Sequence, residues 1–82
     1  MFNSSALSGV NIDQSAFDEW CGYALHALEQ KLADGNITDH QIKELENEQW
    51  AVDGEGNLKL YISLPDGSQL SQYIDKSKWS YV

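Results

Sequence analysis

Arginine is absent from the chain, and five lysines stand against thirteen aspartates and glutamates. Phosphate recognition leans on clustered Arg and Lys to release counterions, so the composition argues against direct nucleic-acid binding. Cysteine occurs once, as Cys21. That rules out an internal disulfide and any all-cysteine metal site within one chain. Long apolar runs are missing as well, and no Lys or Arg precedes residue 31. The opening residues MFNSSALSGVNI therefore match neither a signal peptide nor a membrane anchor, and the expected location is the cytoplasm, without membrane contact.

What is present describes a small folded globule. The hydrophobic fraction is 41% and there are three tryptophans among 82 residues, where a disordered acidic tail would lack aromatics. A chain of this length forms one domain, 1–82, and buries about 60–65% of its unfolded surface, so there is little room for a deep pocket. The charge is uneven. Residues 13–55 hold eleven acids against Lys31 and Lys43, while residues 56–82 hold Asp66 and Asp75 against Lys59, Lys76 and Lys78. A field of this sign attracts basic surfaces, which in a cell are commonest on proteins that bind nucleic acids, although acidity also serves solubility alone.

Residues 1–12 are uncharged and rich in Ser and Asn, as in a flexible arm. From Asp13, a plausible N-cap, apolar residues recur at Phe17, Trp20, Cys21, Ala24, Leu25, Leu28 and Leu32, which predicts a first helix over 13–33 ended by Asp34-Gly35-Asn36. Thr38 to Gln41 has the form of a capping box and predicts a second, acidic helix over 38–48. The period then changes to two. Leu58, Leu60, Ile62 and Leu64 alternate with polar residues between Gly-rich and Pro-Asp-Gly segments, which predicts a three-stranded antiparallel meander over 50–74. One register sets Val52 opposite Leu58, Trp50 opposite Leu60, Leu64 opposite Leu70 and Leu60 opposite Ile74. Residues 75–82 are too short to assign. The expected class is α+β, two N-terminal helices packed on one face of the meander. Its expected core contains Phe17, Cys21, Ala24, Leu28, Leu32, Ile42, Leu45, Trp50, Val52, Leu58, Leu60, Ile62, Leu64, Leu70 and Ile74.

The candidate chemical motifs fail on spacing. Asp53, Glu55 and Asn57 sit where a calcium loop has its first ligands, but Leu58 and Leu64 occupy the positions that need glycine and glutamate. Cys21 and His26 point roughly 140° apart on one helix, which excludes a thiol–imidazole pair. His40 and Glu44 are spaced i, i+4 and offer two metal ligands without a third. With no nucleophile context, phosphate loop or converging acid pair, neither catalysis nor a cofactor or metal is expected.

Two surfaces stand out instead. The first helix is apolar over about 200° of arc, so its Trp20, Tyr23 and Ala27 flank is a candidate oligomer interface, as in a homodimer. The proposed register also pairs Tyr61 with Tyr73 on the outer sheet face, an aromatic patch suited to protein contact. In size and charge the chain resembles the small acidic inhibitors carried by phages and mobile elements, DNA mimics and anti-CRISPR proteins among them. The likeness is one of class and rests on no residue motif. The expected function is a non-catalytic module that engages a basic, nucleic-acid-binding protein through Asp39, Glu44, Glu46, Glu48, Asp53 and Glu55, with Tyr61 and Tyr73. The alternative is a homo-oligomeric structural or accessory subunit using the first helix.

Overall fold

Alternation of leucine and isoleucine with polar residues builds the strand at the centre of the molecule. In the computed structural model, which describes residues 7–45 and 48–82, Leu58, Leu60 and Ile62 are at most 2% exposed. The chain runs through β1 (Val10–Ile12), α1 (Gln14–Ala33), α2 (Asp39–Lys43), β2 (Gln49–Val52), β3 (Leu58–Ser63), β4 (Gln69–Ile74), a 3-10 turn (Lys76–Lys78) and β5 (Trp79–Tyr81). The class is α+β. Strands β2, β3 and β4 form an antiparallel meander in that order, and β1 pairs with β5 in a separate small sheet.

Helix α1 packs its buried residues Ala16, Phe17, Trp20, Ala24 and Leu28 into the core. That stripe centres on Trp20 and Ala24 rather than on Cys21, which is only half-buried, while Leu25 and Leu32 are exposed. Trp20 is completely buried, and truncating such a side chain to alanine costs about 3–5 kcal/mol. A domain of this size is stable by about 4–12 kcal/mol, so this single contact is a large share of the whole. The helix stops as its sequence dictates. Gly35 takes φ +78°, its N–H donates to Leu32 O, and the N–H of Asn36 donates to Lys31 O, the double closure that a glycine just past a helix end allows.

Helix α2 begins on its capping box, with Gln41 N–H donating to Thr38 Oγ1 and Thr38 N–H to Gln41 Oε1. It ends at Lys43, well short of residue 48, with Glu44 as its C-cap and no buried residue. The capping box nucleates a turn, but only half-buried Ile42 and Leu45 follow to hold it on the core, and short helices persist through tertiary packing. The core helix is thus α1 alone. Ile37, in the connection between the helices, is buried at 2% and supplies the apolar anchor that α2 lacks.

The meander keeps the expected β2–β3 register, Trp50 opposite Leu60 and Val52 opposite Leu58. Strand β4 is displaced from the expected pairing: Leu58 faces Ile74 and Ile62 faces Leu70. The hairpin turn decides this. Leu64 N–H donates to Ser68 O and Gly67 N–H to Leu64 O, with Gly67 at φ +90°, so a three-residue loop closes the strands. Asp66 fixes it by accepting from both the N–H and the hydroxyl of Ser68. A shift by an even number of residues leaves every side chain on its own face, so Leu70 and Ile74 remain core residues.

The termini of the described chain close on each other. Val10 pairs with Tyr81, Asn11 with Ser80 and Ile12 with Trp79, and the N–H of Asp13 donates to Lys78 O. Part of the expected arm is therefore a strand, and its Leu7 and Val10 are buried.

Candidate binding surfaces

The carboxylates expected to act together lie at opposite ends of the meander. Asp53 and Glu55 occupy the 53–57 loop that precedes β3. Glu44 lines a hollow of about 400 Å³ with Ser63 and Leu64, at the far end of β3. Six residues of strand separate the two groups by about 20 Å. Glu48, expected on an exposed acidic helix, is instead 3% exposed at the entry to β2, off the outer surface. Glu46 lies outside the described residues. Asp39 and Glu44 are exposed, with Glu44 Oε1 3.0 Å from His40 Nε2.

Asp53 is committed to its own loop. Its Oδ1 accepts from the N–H groups of Glu55 and Asn57, both at 2.9 Å, and its backbone N–H donates to Asn57 O. The loop is then clamped to the C-terminal segment: Lys76 N–H donates to Asn57 Oδ1 and Trp79 Nε1–H to Gly56 O. The Lys76 backbone and the stem of its side chain thus lie against the loop at Asn57 and Gly56, an arrangement that spacing alone did not signal.

The outward side of α1 carries the less compensated acid. Asp18, Glu19, Glu29 and the C-cap Asp34 are exposed. The helix's lysine, Lys31, is turned to Asp66 on the β3–β4 turn at 2.8 Å. That hydrogen bond, with those from Ser68, holds the Asp66 carboxyl well below the usual carboxylate range. Asp75 is likewise held down by the Ser77 hydroxyl and N–H. Burial pushes the Cys21 thiol up, and the Glu48 and Asp18 carboxylates add to it. The flank proposed for oligomerisation is mostly core: Trp20 is fully buried and Ala27 packs half-buried against the core, leaving Tyr23 at 44% exposure.

The outer face of the meander has a different character. Its alternate positions are Gln49, Ala51, Lys59, Tyr61, Ser63, Gln69, Ser71 and Tyr73, with no acid among them. The displaced register separates the expected tyrosine pair. Lys59 faces Tyr73 across the strands and Tyr61 faces Ser71, while Lys59 Nζ lies 5.3 Å from the Tyr61 ring centre, within cation–π range. A second aromatic group joins the two sheets and was missed from sequence. The Tyr81 ring lies 4.9 Å from Trp79 and 6.3 Å from Trp50, both edge-on. The three residues Trp79-Ser80-Tyr81 are too few for a period to reveal it.

Among the described residues no group of three His, Cys, Asp or Glu side chains could hold a metal ion, and no helix is long and apolar enough to cross a membrane. Comparison with protein-family models, curated proteins and solved structures finds no match to this chain.

Proposed function

We propose that the chain is a non-catalytic binding module, an inhibitor or modulator of the kind that phages and mobile elements carry, which engages the basic surface of a nucleic-acid-binding protein. The observation that carries this reading is the outward side of α1, where Asp18, Glu19, Glu29 and Asp34 are exposed while Lys31 is taken up by Asp66. Asp39 and Glu44 add to it near the C-terminal end of the helix. Asp53, with its carboxylate engaged by its own loop, and Glu55, at the far end of β3, contribute less, and buried Glu48 lies off this surface. Such a surface favours fast, salt-sensitive encounter, and contact with Tyr61 and Tyr73 on the acid-free sheet face of a partner wide enough to reach both would slow dissociation. Mimicry of nucleic acid and anti-CRISPR-like action are two forms this engagement could take.

The test is affinity capture from the native host followed by binding at graded salt. A dominant basic partner is expected, with affinity falling steeply as salt rises. Asp18→Asn, Glu19→Gln and Glu29→Gln together should slow association more than Asp53→Asn with Glu55→Gln. A salt-insensitive partner, or one bound equally well by the first variant, refutes the reading.

A further inference from the structure

The free edge of β4 carries an inference independent of the acidic helix. Leu64 N–H bonds Ser68 O at the base of the hairpin, and alternation along an antiparallel ladder fixes the rest. The backbone groups of Leu70, Gln72 and Ile74 turn toward β3, and those of Gln69, Ser71 and Tyr73 turn away from it. Among the described residues no strand adjoins that side. Edges of this kind are normally blunted by lysine, proline or a bulge, yet β4 reads QLSQYI, six residues without charge or proline. The opposite edge, β2, is four residues long, and its Trp50 donates to Ser8 O.

We propose that β4 pairs antiparallel with β4 of a second copy about a twofold axis at Ser71, joining two meanders into one continuous sheet. Two observations favour a second copy as the occupant. The outward-facing residues are symmetric about Ser71, so Gln69 meets Tyr73 of the partner subunit, Ser71 meets its own copy, and every outward N–H and C=O in the strand finds a mate. Two chains of net charge −8 repel, so contact belongs where acid is absent. Strand β4 and its outer-face neighbours Lys59, Tyr61 and Ser63 carry none.

Sedimentation equilibrium of the full chain up to about 1 mM tests this, a range that detects even weak association. The apparent mass should rise from 9.2 kDa toward twice that value. Added salt should strengthen the association by screening like charge, the opposite of its effect on the acidic face. Ser71→Pro removes an N–H that the ladder of the single chain does not use and should weaken self-association at least about tenfold with the circular dichroism unchanged. Should that variant not fold, Ser71→Lys sets two ammonium groups face to face at the axis and should have the same effect. A wild-type chain that stays monomeric at high salt, or a dimer left intact by a folded Ser71 variant, overturns the proposal.

Discussion

Gly22 sits in the middle of α1 with its Cα toward solvent, and a Cβ built on it meets nothing within 4 Å among the described residues. Gly67 is equally open but holds φ +90° in the β3–β4 turn. The same methyl added at these two positions therefore isolates backbone conformation from packing. At Gly22, alanine gains about 0.8–1 kcal/mol, because glycine loses the most conformational freedom on entering a helix. At Gly67 an L-residue is forced into left-handed space, at a cost of about 1–2 kcal/mol. Unfolding entropy of about 2.1 cal/mol/K per residue gives a chain of this length about 0.17 kcal/mol/K. Gly22→Ala should thus raise Tm by about 5 °C and Gly67→Ala lower it by about 6–12 °C. Melting both variants beside the wild type by far-UV circular dichroism measures this. Shifts of the same sign in the two variants, or a fall in Tm for Gly22→Ala, would refute the reasoning about α1.

Three further outcomes are expected. Asp66 has a folded pKa below its unfolded value, so its contribution is complete above about pH 5 and fades as the pH falls below about 4; the gap in urea midpoint between wild type and Asp66→Asn should narrow over that window, and a gap indifferent to pH would count against the Lys31 pairing. Cys21, half-buried with its thiol pushed up by burial, Glu48 and Asp18, should react with a disulfide reagent more slowly than free cysteine at neutral pH and catch up in urea; an equal rate in the folded state would contradict this placement. Gln72 faces the core opposite Leu60, and its Oε1 is buried without a hydrogen-bond partner among the described residues. Gln72→Met should therefore stabilise by about 1 kcal/mol in denaturant titration, and a loss of stability would show that the amide is satisfied.

Local signals were legible in the sequence because their causes are local. The capping box at Thr38 and Gln41, the glycine closure at Gly35 and the β2–β3 register each depend on residues a few positions apart. What was not legible required tertiary knowledge. An apolar arc of 200° on α1 is compatible with several centres, and only packing against the sheet selects the one at Trp20. Two registers of β4 place the same residues on the same faces, so hydrophobic pattern cannot separate them, and the choice falls to Pro65-Asp66-Gly67. Strands as short as β1 and β5 lie below the length at which a period can be counted. For the candidate surface, an excess of acid is countable in the sequence but its geography is not. Glu48 reads as one more solvated acid in a charged run, and nothing in the spacing signals that β3 stands between the α2 carboxylates and Asp53, or that Lys76 lies beside that loop.

The pairing of β1 with β5 bears on how this chain acquires its structure. Val10 and Tyr81 are about 70 positions apart, and contacts of such separation form slowly because the intervening loop must first be closed. During synthesis Val10 is made about 70 residues ahead of its mate. Val10 therefore stays without its β5 mate while α1 and the meander can already assemble. The β1–β5 pairing cannot begin before Trp79 to Tyr81 have cleared the exit tunnel.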